Sequence, residues 1–417
     1  MKTYQAQFPL ALRALNRLGA LASGMGVELI GLDRDTLLKR ATTAAGSSDF
    51  GTEEFIANLD RLLASLSSEG KLTTFGRLIA RTDLQRTLQN RLQITALCAE
   101  HPEIEAAPVI QPIFVVGPPR TGTTIFHDLL ALDPANRVPM AWETAYPMPP
   151  PETATYNSDP RIARVDADLA RVDQFIPEFK KMHPMGAQRA QECVSITSHE
   201  FASMIFNTQF RVPSYEDWVM EADMSAALRQ HRRFLQVLQW KAPGQRWALK
   251  SPQHIWHMDQ LLKEYPDARI VQTHRDPARI LVSISSLVAT LRGLASDAVD
   301  VAEIARGYSA GLELGYRKMI EVREQGLLQD AQVIDLHFRD FVSDQVGTVR
   351  RAYQHFGLQL DAVAEQRMRQ FLDDNPADKH GKHSYNLEDI GMNENDIRQQ
   401  FAFYTDYFKV AQEPLKQ

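Results

Sequence analysis

The sequence predicts an α/β fold: a P-loop-like parallel β-sheet flanked by helices, with a helical N-terminal region in front of it. Three observations predict this. Short apolar runs recur from residue 112 onward, each followed by a loop and a helix-like segment, and that alternation builds parallel sheets. The first of these loops is rich in Gly and Pro and opens directly onto a helix. Residues 1–108, in contrast, carry helical periodicity and no chemical motif.

The elements follow in chain order. Leu10, Leu12, Leu15, Leu18 and Leu21 recur at near-helical spacing, as do the apolar positions of 53–66 and 74–97. Gly46-Ser47-Ser48 breaks the pattern between two of these helices. Ile113-Phe114-Val115-Val116 is wholly apolar, as a strand buried on both faces must be. Thr123 to Ala131 reads as the helix after it. A second unit starts at Trp247-Ala248-Leu249, turns at Lys250-Ser251-Pro252 and continues as a helix to Lys263. A third has the strand 269–273, the loop His274-Arg275-Asp276-Pro277 and a helix through Leu287. The strand 332–336 is the fourth. Between the first two units, about 151–240, lies a helical, aromatic-rich insertion of the α/β domain, which spans 109–417.

Composition narrows the function. The chain has 417 residues, 44% hydrophobic and 24% charged, which fits a globular protein. A net charge of −6 gives no general attraction to nucleic acid or an anionic membrane, so an anionic ligand must be held by local charge. Cys98 and Cys193 form no metal-type spacing and read as buried free thiols. No apolar run reaches the roughly 18 residues of a membrane span. Arg13 and Arg17 interrupt the apolar stretch at Phe8–Leu21, so a cytoplasmic protein is expected. No acidic cluster marks a metal site.

Gly117-Pro118-Pro119-Arg120-Thr121-Gly122-Thr123-Thr124 joins the first strand to its helix. Backbone N–H groups in such a turn converge on one point, and the helix N-terminus adds partial positive charge, which suits a phosphate-like anion. The glycine spacing matches a P-loop, but Thr123 stands where that motif has lysine. The segment from Pro119 to Thr124 resembles the 5′-phosphosulfate loop of sulfotransferases that use 3′-phosphoadenosine 5′-phosphosulfate (PAPS). With arginine at position 120 it is most similar to the tyrosylprotein branch and a bacterial group.

The resemblance covers about residues 110–400 and implies roles for particular residues. Pro119, Arg120, Thr121, Gly122, Thr123 and Thr124 would bind the 5′ end of PAPS. Arg275 and Ser283, eight positions apart, would hold its 3′-phosphate, with Lys382 of the basic tail at 379–385. Arg120 and Lys250 would neutralise the leaving phosphate. Glu143, just after the first helix, would be the general base, as a glutamate is in the tyrosylprotein branch; beside Trp142 its carboxylate should be partly desolvated, which suits a base. His254 and His257 are rival bases, and His127, His183 and His199 weaker ones. The reaction implied is in-line sulfuryl transfer to a hydroxyl, with PAPS as co-substrate and no metal.

Met140, Trp142, Tyr146, Phe206, Phe210, Tyr215 and Trp218 are candidates to line an apolar cleft for a phenol, a sterol-like or a lipid alcohol, though core packing explains them as well. A small-molecule acceptor with an apolar or aromatic part is therefore expected as partner, no nucleic acid, and homo-oligomerisation stays open. Two alternatives remain: a P-loop kinase or NTPase, which would need the missing lysine and a metal-holding aspartate, and a non-catalytic nucleotide-binding protein.

Overall fold

The computed structural model describes Tyr4, residues 6–376 and residues 387–415. Five parallel strands form one sheet: β1 Ile113–Val116, β2 Asn136–Arg137, β3 Arg246–Lys250, β4 Arg269–His274 and β5 Val333–His337, in the order β2-β3-β1-β4-β5. The chain leaves β1 for the β2 edge, returns through β3, then crosses to β4 on the other side. β1 is therefore the strand about which the order reverses, and ligands of open α/β sheets sit beyond the carboxyl ends at such a point.

Pleating sends alternate β1 side chains to opposite faces. Phe114 and Val116 join Leu249, Ile270 and the N-terminal Leu59, Leu62, Leu88 and Leu92 in one apolar cluster. Ile113 and Val115 join Ala248, Val271, Leu336, Phe126, Leu129 and Tyr353 in the other. All of β1 is buried, whereas the edge strand β5 alternates between buried and more open positions. The apolar cluster shared with the N-terminal helices crosses residue 108 without a break.

The helices begin where local chemistry permits. Asp276 caps the helix Pro277–Arg292 by accepting from Ala278 N at 3.0 Å, and Pro277 occupies its first position. Thr73 caps the long helix Thr74–Glu100 by accepting from Gly76 N at 3.0 Å. The expected N-terminal helices are present as Leu10–Gly24, Glu54–Ser68 and Thr74–Glu100; Arg34–Ala45 is an additional one. Two elements differ from the sequence reading. The two-residue strand β2 carries no apolar run and is held by pairing with Arg246 and Trp247. The segment after Lys250 first forms a 3-10 turn, Pro252–Trp256, before the helix Met258–Glu264.

Cys98 and Cys193 are buried and free. Among the described residues, no helix is long and apolar enough to cross a membrane.

Candidate active site

Three neighbouring strand ends build the site. β1 runs into the glycine loop, and two of its glycines are required by geometry. A Cβ on Gly117 would lie 2.1 Å from Thr273 Oγ1, and Gly122 has φ 86° in the left-handed region. Gly122 is also the N-cap of the helix Thr123–Ala131, so no capping side chain covers that N-terminus. Its first N–H groups are open to an anion. Arg120 itself has φ 71°, uncommon for a residue with a Cβ. Its carbonyl accepts from Arg275 Nη1 at 2.7 Å, which ties the loop to the end of β4.

The loop residues divide by role. Pro119, Arg120, Thr123 and Thr124 line a large cavity beyond the strand ends. Thr121 is turned inward: its hydroxyl is 2.8 Å from Pro118 O and 2.6 Å from Thr273 Oγ1, so it shapes the loop. The Arg120 guanidinium reaches Ser283 Oγ (2.9 Å) and Met182 O (2.9 Å).

Lys250 ends β3, the neighbour of β1 on its other side. Its ammonium is 3.4 Å from Thr124 Oγ1 and forms an ion pair with Glu192. The pair lines the same cavity as Arg120 and His183. Burial raises the Glu192 pKa, but Lys250 and His183 outweigh it and hold the carboxyl below its ordinary value. Burial, with Lys250 adding to it, lowers His183 to about 4. At neutral pH the site thus presents a carboxylate and a neutral imidazole beside a lysine.

Arg275 ends β4. Its Nε and Nη2 donate to the two carboxylate oxygens of Glu413 at 2.9 Å each, and its guanidinium stacks over Phe338 at 3.7 Å. Glu413 is held in turn: its N–H donates to Asp276 at 2.7 Å, and its carbonyl accepts from Arg398 at 3.1 Å. Arg279 lies 3.8 Å from the same carboxylate. Lys382 lies outside the described residues.

Glu143 is not where the sequence reading puts it. It is fully buried away from the cavity and makes a two-pronged ion pair with Arg137. It also accepts from Met140 N at 2.8 Å and Tyr156 Oη at 3.0 Å. A carboxylate with that many donors fixes the loop after β2. The rival bases His254 and His257 are core residues too. His254 packs edge-on against Phe114, and His257 Nε2 sits 2.9 Å from Val219 O. His127 bonds Ala248 O at 2.9 Å beneath β3. Of the described histidines, His183 and His199 line the cavity.

The cavity has a volume of about 970 Å³. Of the acceptor-pocket candidates, Tyr146 and Phe210 line it, while Met140, Trp142, Phe206, Tyr215 and Trp218 do not. Trp142, Phe206 and Tyr215 are instead buried in the core.

A sequence profile described as the sulfotransferase family matches residues 112–362. The chain belongs to the sulfotransferase family. Two solved structures of mycobacterial sulfotransferases are similar to this sulfotransferase over nearly its whole length. STF1 of Mycobacterium tuberculosis H37Rv is 32% identical, with a TM-score of 0.78, over 90% of this chain and 99% of that one. STF9 of Mycobacterium avium is 30% identical, with a TM-score of 0.83, over 91% of this chain and 97% of that one. A curated relative from Mycobacterium bovis, omega-hydroxy-beta-dihydromenaquinone-9 sulfotransferase Stf3, is 27% identical over 66% of this chain and 70% of its own. The expected α/β architecture and enzyme class hold for this sulfotransferase, and the readings as a kinase or a non-catalytic binder fall away.

Glu192 went unremarked in the sequence. It sits in a loop without periodicity, and it meets Lys250 because Cys193 N donates to Lys250 O at 2.9 Å, laying that loop along the end of β3. Glu413 was equally hidden, near the C-terminus with no motif around it.

Proposed function

We propose that this enzyme transfers a sulfuryl group from PAPS to the hydroxyl of an apolar small molecule, with Glu192 as general base. The observation that carries the reading is the Lys250–Glu192 pair on the cavity wall, with Lys250 also 3.4 Å from Thr124 at the open helix N-terminus. An anion-binding turn, a proton acceptor and a cation for the leaving group are then within one side chain of each other.

In this reading the loop from Pro119 to Thr124 receives the 5′-phosphosulfate, and its N–H groups face the growing negative charge. Arg275 and Ser283 hold the 3′-phosphate, with Lys382 as a further cation. Glu192 takes the proton of the acceptor hydroxyl as its oxygen bonds to sulfur. The bond between sulfur and the bridging oxygen breaks, its electron pair goes to that oxygen, and adenosine 3′,5′-bisphosphate leaves. Lys250 and Arg120 neutralise the departing phosphate. Lys250 serves both sides: its ammonium keeps Glu192 ionised before transfer and stabilises the negative charge that grows on the leaving oxygen during it. The residues of 1–108, and of the insertion at about 151–240, supply much of the acceptor side.

The lining supports an apolar acceptor. Val165, Leu169, Val172, Phe175, Leu287 and Leu291 face the cavity, and the relative Stf3 is named for a menaquinone-derived acceptor. The test has two arms. Calorimetry without Mg²⁺ compares adenosine 3′,5′-bisphosphate with ATP, and transfer of labelled sulfate from PAPS is scored against a panel of phenols, sterols, long-chain alcohols and sugars. Bisphosphate binding with transfer to an apolar alcohol is expected. Tight ATP binding with no bisphosphate binding overturns the donor, and transfer to polar sugars alone overturns the acceptor class.

A further inference from the structure

Helix Thr74–Glu100 contributes Phe75, Ile79, Thr82, Asp83, Arg86 and Asn90 to the cavity wall. These positions recur every three or four residues, so they share one face. From Phe75 to Asn90 that face runs about 22 Å at a helical rise of about 1.5 Å per residue. The helix Pro160–Phe175 presents a second such face through Val165, Leu169, Val172 and Phe175. That second face runs about 15 Å on the same rise, and Phe75 meets Phe175 edge-on with ring centroids 5.8 Å apart, so two helical faces wall one trough. Its volume of about 970 Å³ is at the top of the usual range for small-molecule sites, about 300–1,000 Å³.

The long helix is fixed in place. Thr73 N donates to Ala295 O at 2.9 Å, and a Cβ on Gly76 would come within 1.9 Å of the same oxygen. Farther along, Arg91 is buried, donates to Phe50 O at 2.8 Å and His199 O at 3.1 Å, and pairs with Glu200. Asn90 Nδ2 donates to Ala145 O at 3.1 Å. A helix pinned at both ends of its cavity-facing stretch is a wall. It also lies outside residues 112–362, the segment that matches the family profile.

We propose that this helix is the acceptor gauge of the enzyme: it sets the length of apolar alcohol that can reach the Lys250–Glu192 pair. The acceptor is accordingly an elongated isoprenoid or alkyl alcohol. The proposal rests on the cavity being the acceptor site.

The test uses the full chain with PAPS and a series of prenyl alcohols: geraniol, farnesol and geranylgeraniol. Ile79→Trp places a ring in the trough, and Thr82→Trp does so from a more exposed position on the same face. Bisphosphate calorimetry and the melting temperature identify a variant that has failed to fold. The readout is the ratio of kcat/KM for geranylgeraniol to that for geraniol. Wild type is expected to favour the longer alcohol, and either folded tryptophan variant is expected to lower the ratio by about tenfold or more. An unchanged ratio overturns the gauge. If wild type transfers to none of the alcohols although it binds bisphosphate, the acceptor reading above has failed. Equilibrium binding of labelled geranylgeraniol then decides the gauge: loss of binding in the variants supports it, and equal binding or none to any form overturns it.

Discussion

Arg120 Nε donates a 2.9 Å hydrogen bond to Ser283 Oγ, joining the loop after β1 to the helix after β4. The two residues proposed to hold opposite ends of one donor are therefore already in contact. Each must divide its bonding between the other and a phosphate when the donor is bound. Ser283→Ala is expected to raise the Kd for adenosine 3′,5′-bisphosphate about tenfold, the scale of one hydrogen bond to a charged group. Calorimetry checks this, and an unchanged Kd would remove Ser283 from the nucleotide site.

Glu413 occupies the fork of Arg275 with both carboxylate oxygens. Its charge opposes any phosphate brought to the same arginine. Glu413→Gln keeps an acceptor for the guanidinium and removes the repulsion. Bisphosphate is therefore expected to bind several-fold more tightly to this variant, and more so at low salt. Weaker binding would mean that the carboxylate serves to orient Arg275.

Glu192→Gln is expected to lower kcat by about a hundredfold or more, the usual contribution of a general base, with bisphosphate affinity little changed. Lys250→Met should cost a similar factor, about 3–4 kcal/mol, through the leaving group. The acid limb of kcat/KM should follow the Glu192 carboxyl, which Lys250 and His183 hold below its usual range despite burial. Activity should accordingly persist as pH falls to that range and disappear only below it. Full activity in Glu192→Gln would move the base to His183.

Glu143→Gln is expected to act on stability. Breaking a buried ion pair leaves Arg137 uncompensated and costs about 3–5 kcal/mol. A clear fall in Tm should result, with activity following the folded fraction. A selective loss of kcat in a fully folded variant would return Glu143 to the chemistry.

Acid should loosen the fold. Burial lowers the pKa of His127 and His199 to about 4 and of His231, His254 and His257 to about 3. These groups bind protons in the unfolded chain near pH 6.5 but not in the folded one. Their contribution is present above that pH and is lost as pH falls toward the folded values. Tm is expected to drop steadily from about pH 6.5 to pH 4, as differential scanning calorimetry would register.

The sequence by itself determined four of the five strands and the glycine loop after the first. β1 lies at the predicted residues because a strand covered on both faces must be apolar throughout, and the loop at 117–124 was visible because its glycines answer to local geometry. Lys250 and Arg275 were legible as charges directly after strands. Tertiary structure alone decided which acids and aromatics meet the cavity. Glu143 and Glu192 are both glutamates near apolar segments, and nothing local separates them. One meets Arg137 inside the protein and the other meets Lys250 at the cavity, because the loop around Cys193 lies along the end of β3. The same holds for Trp142 and Phe210, and for the helix Thr74–Glu100, whose cavity face was chosen by packing against Ala295 and Glu200. Periodicity along a chain reports which face is apolar, and only the packing of distant segments decides whether that face meets the core or an acceptor.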